Sequence, residues 1–281
     1  MSEGLAGLDI ELKATRVEID GPVATVWLHR PHRHNAWTGR MHTEYRSCIT
    51  EAESDPEVRV IVVTGAGRGF CAGADQTALA GHAERGGYDP GTDPDELTNP
   101  GYGVRAEFDH DFAFHFGLTK PMIAAINGPA AGVGLVLACY ADLRFAAAGA
   151  KLTTSHGKLN LPAEYGLSWL LPRLVGTGRA LDLLLSSRVI LAEEALAWGL
   201  VNRVEPADEL LTATLSYADE LARSVSRHSL AASKRQTYVD LHRDLGTSIE
   251  DAEARLEAMM SEPDFARGVA ALARRESPDY R

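Results

Sequence analysis

The fold is indicated most clearly by residues 122–147, MIAAINGPAAGVGLVLACYADLRFAA. Its first five residues are apolar and are followed by the turn signal Asn-Gly-Pro, so they predict a buried strand. The apolar run from about Val133 predicts a helix, and a second strand is predicted from Asp142. A strand, a turn, a helix and a strand in this order predict an α/β domain with a largely parallel sheet.

The chain before this stretch carries the same kind of signals. Residues 15–29 alternate apolar and polar side chains around Asp-Gly-Pro and predict a β-hairpin. A helix is predicted from Thr38, its N-cap, to Ser-Asp-Pro at 54–56. Residues 58–65 are almost wholly apolar and end in Gly, which predicts another buried strand.

The chain beyond Pro172 is predicted to be helical. Apolar residues recur there at three-to-four spacing in successive segments with polar opposite faces. We therefore expect an α/β core over residues 1–204 and a helical C-terminal part over residues 205–281. Residues 79–118 are rich in Gly, Pro and Asp, and a loop of that length is typically a functional flap or disordered.

The composition excludes several classes of partner. Lys and Arg total 28 against 39 Asp and Glu, and the formal charge of −11 disfavours binding to nucleic acid. No basic and apolar secretory leader opens the sequence, and no apolar run has the length of a membrane span. The 3 cysteines lack CxxC spacing, and the 10 histidines lack HExxH spacing. We therefore expect a cytoplasmic protein with reduced thiols and no metal.

Two stretches rich in small residues are candidates for chemistry. GRGFCAGADQ (67–76) follows a predicted strand, and NGPAAGVGLVLACYAD (127–142) opens a predicted helix. Small residues allow a ligand to approach backbone N–H groups, and two such groups that converge on one oxygen form an oxyanion hole. Taken separately, a tight turn and close helix–strand packing explain the two stretches equally well.

Four motifs in sequence order carry a resemblance to a known family. RPHRHNAW (30–37) is similar to R-P-x-x-x-N-A, GFCAGADQ (69–76) to F-x-A-G-A-D, and INGPAAGVGLVLACYADLRFA (126–146) to N-G-x-A-x-G-G-G-x-x-L-x-x-x-x-D-x-x-x-A. GLVNRV (199–204) is similar to a G-L-V near the end of the core. Together they resemble the enoyl-CoA hydratase/isomerase superfamily, also called the crotonase family.

The resemblance implies a crotonase-like fold, a spiral of ββα turns with a helical C-terminal part that completes homotrimers, often paired into hexamers. The substrate would be an acyl-CoA thioester of fatty acid metabolism, with coenzyme A as part of the substrate and no other cofactor. The amides of Ala74 and Val133 would stabilise an enolate at the thioester oxygen. The resemblance also places a set of residues along the substrate and its CoA moiety: Arg33, His34, Ala36, Ala72, Asp75, Gln76, Gly132, Val136 and His156.

The sequence departs from the family at both glutamates that hydratases use. Counting along the motifs places Val136 and His156 at those two positions. Val136 cannot transfer a proton, which excludes a mechanism with two glutamates. His156 is either an acid or base or a polar residue that lines the pocket.

Glu164 lies further along, in PAEYGLSWLLPRL (162–174), and resembles the proton-shuttling carboxylate of some isomerases of the family. A carboxylate in an apolar pocket has a raised pKa, which suits it to take a proton from one carbon and return it to another. In the alternative interpretation, Glu164 caps a helix that begins near Tyr165 or pairs with Arg173.

The function expected from these residues is double-bond isomerisation of an acyl-CoA with Glu164 as acid/base. Hydration stays open, with Glu164 and His156 dividing the work. The alternatives are a non-catalytic acyl-CoA-binding protein and a hydrolase or C–C lyase of the same superfamily. The segment 79–118, with Phe112 near its end, is either a wall of the acyl pocket or a surface excursion.

Overall fold

The computed structural model describes residues 11–85, 108 and 110–280. In this part of the chain, strands form a six-stranded sheet in the order β1-β2-β3-β4-β6-β9 and a three-stranded sheet in the order β5-β7-β8. The strands are β1 (Thr15–Asp20), β2 (Val23–Leu28), β3 (Val60–Gly65), β4 (Met122–Ile126), β5 (Ala130–Ala131), β6 (Leu143–Ala147), β7 (Lys151–Thr153), β8 (Ile190–Leu191) and β9 (Arg203–Glu205).

Helices cover the sheets and make up the C-terminal part. They are α1 (Gly39–Ser54), α2 (Gln76–Arg85), α3 (Val133–Tyr140), α4 (Leu167–Val175), α5 (Thr177–Ser186), α6 (Ala192–Trp198), α7 (Leu210–Ser224), α8 (Arg227–Asp240), α9 (Leu245–Met260) and α10 (Pro263–Arg274). No helix among the described residues is both long and apolar enough to span a membrane.

The predicted hairpin is confirmed. β1 and β2 pair antiparallel with Thr15 opposite Leu28. The predicted N-cap is also confirmed, because the side chain of Thr38 accepts a hydrogen bond from the Met41 N–H at 3.1 Å and starts α1. Both features depend on residues that are adjacent in sequence, which is why short patterns identify them.

The large sheet is parallel from β2 through β3, β4 and β6 to β9. Helix α7 contacts β2, β3, β4, β6 and β9. All residues of β3 and β4 are buried, which explains their unbroken apolar sequences. The unit β4-α3-β6 is the strand, helix and strand predicted from residues 122–147, and the carboxyl ends of β3 and β4 lead directly into the two stretches rich in small residues.

Asp142 precedes the second strand of this unit and joins it to helix α8. Its carboxylate accepts hydrogen bonds from the Met122 N–H at 2.6 Å, from Lys234 Nζ at 2.7 Å and from Tyr238 Oη at 2.8 Å. The strand itself begins one residue later, at Leu143. A largely buried ion pair with this many hydrogen bonds fixes the position of α8 on the core.

The C-terminal part is helical, as predicted, but its first helix packs on the core sheet. Helix α7 contacts five strands of the large sheet, whereas α9 contributes no buried residue. Several apolar side chains of α9 and α10 are exposed, among them Leu245 at 76%, Leu256 at 61% and Leu272 at 77%. The assignment of residues 205–281 to oligomerisation stays a prediction.

The segment 79–118 lies partly outside the described residues. Its first residues belong to α2, and a 3₁₀ helix over Ala113–Gly117 follows near its end. Phe112, at 1% exposure, lies in the core immediately before this 3₁₀ helix. A mere surface excursion is therefore wrong for the end of the segment.

Candidate active site

A cavity of about 740 Å³ lies beside the ends of the two stretches rich in small residues. It is wide enough for a cofactor-sized ligand. The sequence-predicted site residues that line it are Arg33, His34, Ala36, Ala72, Ala74, Asp75, Gln76, Gly132, Val133, His156 and Glu164. The fold therefore brings together residues from five separate segments of the chain.

Val136 is the predicted site residue that does not line this cavity. It lies in α3, a helix whose residues are all buried, and is itself 2% exposed. Its N–H donates to the Gly132 carbonyl oxygen at 3.0 Å, so it lies one helical turn beyond the cavity wall. Substrate contact at Val136 stays a prediction, because counting along a motif gives a position on a helix but not the direction of its side chain.

The two stretches are joined by backbone hydrogen bonds. Cys71 N–H donates to Pro129 at 3.1 Å, and Ala131 N–H donates to Cys71 at 3.0 Å. A Cβ atom on Gly134 would lie 2.3 Å from the Cys71 carbonyl oxygen, so only glycine allows α3 to begin this close. Gly132 has φ +50°, which directs the chain into α3.

The backbone N–H groups of Ala74 and Val133 have no backbone acceptor among the described residues. Val133 is the first residue of α3, and the first N–H groups of a helix have no partner within it. Both residues line the cavity. Two unpaired donors on one wall can stabilise negative charge on a substrate oxygen, helped at Val133 by the positive end of the helix dipole.

Asn35, which sequence reasoning did not select, fixes the loop in front of this wall. Its side chain accepts from the Arg30 N–H at 2.8 Å and donates to the carbonyl oxygens of Ala66 at 2.9 Å and Gly69 at 2.8 Å. Asn35 is fully buried and has φ +55°. The sequence did contain an indication of this role, because Asn35 occupies the position of the N in the motif R-P-x-x-x-N-A.

Asp75 has a structural partner in Arg30, at 3.0 Å. It also accepts a hydrogen bond from the Thr77 N–H at 2.9 Å, at the start of α2. Burial alone would raise the pKa of Asp75, but the hydrogen bonds from Thr77 and Arg30 outweigh it and the pKa is lowered. Asp75 is therefore an ionised, paired group that orders the loop around Ala74.

Glu164 lies on the cavity wall in a 3₁₀ turn, Glu164–Gly166, and is half-buried. Among the described residues it forms no ion pair and no side-chain hydrogen bond. Burial raises its pKa, while the nearby charge of His156 acts in the opposite direction. A half-buried carboxylate without a partner is a candidate for proton transfer to or from a ligand in the cavity.

Both alternative interpretations of Glu164 are wrong. Helix α4 begins at Leu167 with Gly166 as its N-cap, and no side chain caps it. Arg173 instead donates from Nη1 to the Trp169 carbonyl oxygen at 2.8 Å and lies over the Trp169 ring at 3.9 Å. Neither a helix cap nor an ion pair with Arg173 therefore accounts for Glu164.

The position of Glu164 is maintained by an unusual backbone. Tyr165, the next residue, has φ +50°, and its carbonyl oxygen accepts a hydrogen bond from Tyr140 Oη at 2.6 Å. A left-handed tyrosine is uncommon and is retained only where its surroundings impose it. The hydrogen bond to Tyr140 supplies that constraint from α3.

His156 shares the cavity wall with Glu164. It is 6% exposed and belongs to a 3₁₀ turn between two left-handed residues, Ser155 at φ +58° and Asn160 at φ +56°. Gly157 N–H donates to Ser187 Oγ at 3.1 Å and attaches this turn to the end of α5. Two titratable side chains, one acidic and one basic, therefore face the same space.

Two other kinds of chemistry find no support among the described residues. The Cys71 thiol is fully buried, and burial raises its pKa to about 12, so it is not an activated nucleophile. No group of three or more His, Cys, Asp or Glu in the described part of the chain is arranged to hold a metal ion.

An α/β fold with two unpaired N–H groups and an unpaired carboxylate around one cavity is suited to stabilising negative charge on a substrate oxygen. The family model for enoyl-CoA hydratase/isomerase matches residues 18–281. The chain belongs to the enoyl-CoA hydratase/isomerase family, and it is a hydratase/isomerase-type enzyme. The resemblance inferred from the four motifs is confirmed.

Relatives and solved structures agree. A probable enoyl-CoA hydratase of Mycobacterium tuberculosis is 34% identical over 98% of this chain and 95% of its own length. The 1,2-epoxyphenylacetyl-CoA isomerase of Escherichia coli is 32% identical over 93% and 96%. The structure of a probable enoyl-CoA hydratase/isomerase from Mycobacterium abscessus has a TM-score of 0.81 at 31% identity, covering 95% of this chain and 98% of that one. The expected crotonase-like fold is confirmed.

Proposed function

We propose that the protein isomerises a carbon–carbon double bond of an acyl-CoA thioester, with Glu164 as the single acid/base. The observation that carries this proposal is the unpaired Glu164. Glu164 and Asp75 are the carboxylates among the described residues of the cavity wall, and Asp75 is paired with Arg30. One carboxylate is enough to move a proton between two carbons.

The residues would perform the reaction in two proton transfers. The N–H groups of Ala74 and Val133 would hold the thioester oxygen of a 3-enoyl-CoA. Glu164 would take a proton from the α-carbon, and the electron pair released would form a dienolate stabilised by those two donors. The protonated Glu164 would then return the proton to the γ-carbon, giving the conjugated 2-enoyl-CoA and restoring the carboxylate.

Two observations support this class of reaction. The raised pKa of Glu164 suits a group that must both accept and donate a proton. One relative, 32% identical over 93% of this chain, is itself an acyl-CoA isomerase, of 1,2-epoxyphenylacetyl-CoA. No cofactor is required for the proposed steps beyond the coenzyme A that the substrate carries.

Hydration is the second candidate, because His156 faces the same cavity as Glu164 and interacts with it electrostatically. In that reaction one of the two groups would take a proton from water while its oxygen adds to the β-carbon. The other group would protonate the α-carbon, giving a 3-hydroxyacyl-CoA. The two candidates therefore differ in their product.

The test is Glu164→Gln assayed on a panel of 2-enoyl- and 3-enoyl-CoAs by the absorbance of the conjugated enoyl group. We expect turnover to fall by about 10²- to 10⁴-fold while acyl-CoA binding persists. Glu209→Gln is the matched control, since Glu209 is exposed and makes no capping hydrogen bond. Unchanged turnover in Glu164→Gln, or release of free thiol or a shortened acyl chain by the wild type, would contradict the proposal.

We also propose that the protein assembles into trimers or pairs of trimers and acts in the cytoplasm in fatty acid metabolism. The exposed apolar side chains of α9 and α10, such as Leu256 and Leu272, support an assembled state because a monomer would leave them in water. Sedimentation equilibrium of the wild type and of Leu272→Ser tests the assembly. A monomeric wild type would contradict it.

A further inference from the structure

Three aromatic side chains form a continuous cluster beside Glu164. The ring centroids of Trp37 and Phe112 are 5.3 Å apart, and those of Phe112 and Tyr165 are 5.1 Å apart with the rings nearly perpendicular. Trp37 and Tyr165 line the cavity. Phe112 is not among the lining residues, so it lies behind the two rings and contacts both.

The cluster lies at the reacting end of the cavity. Trp37 N–H donates to Gly73 at 2.8 Å, and the Asp75 N–H donates to Trp37 at 2.9 Å, so its backbone flanks Ala74. Tyr165 directly follows Glu164. Arg33 and His34, which line the same cavity, are exposed. Trp37 and Tyr165 lie next to the proposed reacting groups, so their rings are placed to contact the acyl group.

Phe112 occupies its place at a conformational cost. Its φ is +61°, which is rare for a bulky residue. The 3₁₀ helix that follows is attached to α1 by a buried hydrogen bond between His115 Nε2 and Tyr45 Oη at 2.9 Å. Strained backbone of this kind persists where surrounding structure imposes it, and it occurs most often at functional sites.

We propose that Phe112 is a specificity-determining residue. Because of it, the cavity binds a compact planar acyl group, such as an aryl group, more tightly than a linear alkyl chain. Phe112 packs against both Trp37 and Tyr165 and so links the two rings that line the cavity. Aromatic rings favour a flat, unsaturated group through edge-to-face or offset contacts, whereas an alkyl chain gains only from buried area. The inference rests on the proposed function, since it names the substrate class of the same site.

The experiment compares phenylacetyl-CoA and octanoyl-CoA, whose acyl groups have equal numbers of carbon atoms, by isothermal titration calorimetry. We expect the wild type to bind phenylacetyl-CoA more tightly, by about fivefold. Phe112→Ala removes the ring, and Phe112→Leu keeps most of the volume in case the alanine variant fails to fold. In both variants the preference should fall to about twofold or less.

Phe145→Leu is the matched control. Phe145 lies in β6 and is as buried as Phe112, but its ring contacts Tyr217 of α7 at 5.3 Å and does not line the cavity. It should keep the preference of the wild type.

Equal or tighter binding of octanoyl-CoA by the wild type, or a preference that survives in the folded Phe112 variants, would overturn the inference. Because binding is measured, a wild type that binds both compounds but turns over no enoyl-CoA would refute the proposed isomerisation alone.

Discussion

Arg30 and Asp75 form an ion pair at 3.0 Å that holds together two loops of the cavity wall. Arg30 also donates from Nη1 to the Ala36 carbonyl oxygen at 2.5 Å, so a single guanidinium connects the loop before α1 to the loop that carries Ala74. Asp75 is paired in this way, whereas Glu164 forms no ion pair with any of the described residues.

Asp75→Asn should reduce the free energy of unfolding at pH 7 by about 2 kcal/mol, because it leaves Arg30 partly buried without its counter-charge. Since the pKa of Asp75 is lowered in the folded state, its contribution is present above the unfolded pKa and is lost as the pH falls below about 4. Urea denaturation at several pH values measures both effects. Glu276→Gln, in an exposed pair with Arg274, is the control, and equal losses in the two variants would contradict the argument.

Glu164→Gln should make the fold slightly more stable at neutral pH, by a few tenths of a kcal/mol, since the group is only half-buried. A raised folded-state pKa means that ionised Glu164 is penalised above the unfolded pKa, and this penalty disappears at lower pH. The gain should therefore be present at pH 7 and absent at about pH 4. Thermal denaturation at the two pH values measures it, and a loss of stability at pH 7 would count against the raised pKa.

The pH dependence of kcat/KM should show an acidic limb above the ordinary range of a glutamate, because Glu164 must be ionised to accept a proton and burial raises its pKa. His156→Gln should move this limb to higher pH, since the charge of His156 lowers the pKa of Glu164. Initial rates between pH 4 and 9 provide the measurement. A profile that stays flat to about pH 4 in the wild type would exclude Glu164 as the base.

Gly134→Ala should lower kcat/KM by about 10²-fold or more, which is the effect of removing one oxyanion donor. The new Cβ would meet the Cys71 carbonyl oxygen at 2.3 Å and force α3, with Val133, away from the loop of Ala74. Steady-state kinetics with a folded variant, checked by circular dichroism, measure the effect. Gly178→Ala in α5 is the control because its Cβ meets nothing within 4 Å; similar activities for the two variants would refute the close-approach argument.

The parts of the fold that were predictable from the sequence depend on neighbouring residues. The hairpin of β1 and β2, the N-cap at Thr38 and the buried strand β3 each have a complete local signal. The oxyanion stretches were identified through motif resemblance. Their small residues alone were equally compatible with tight turns.

The remaining features depend on contacts between distant segments. Nothing near Arg30 indicates that Asp75 is its partner, and nothing near Phe112 indicates a contact with Tyr165. The capping explanation of Glu164 failed because α4 begins after Gly166 and no side chain caps it. The pairing explanation failed because Arg173 contacts Trp169 instead. Counting along the motif gave the position of Val136 in α3, but it could not give the direction of its side chain in this buried helix.

The carboxylate of Asp142 couples the local unfolding of β4 to that of α8. It binds β4 through Met122 and α8 through Lys234 and Tyr238, so α8 cannot leave the sheet without exposing an unpaired charge on each side. The amides of α8 and of β4 should therefore exchange hydrogen for deuterium in one shared opening event rather than in two. Helix α8 is in this sense part of the same cooperative unit as the strand that leads into the cavity wall.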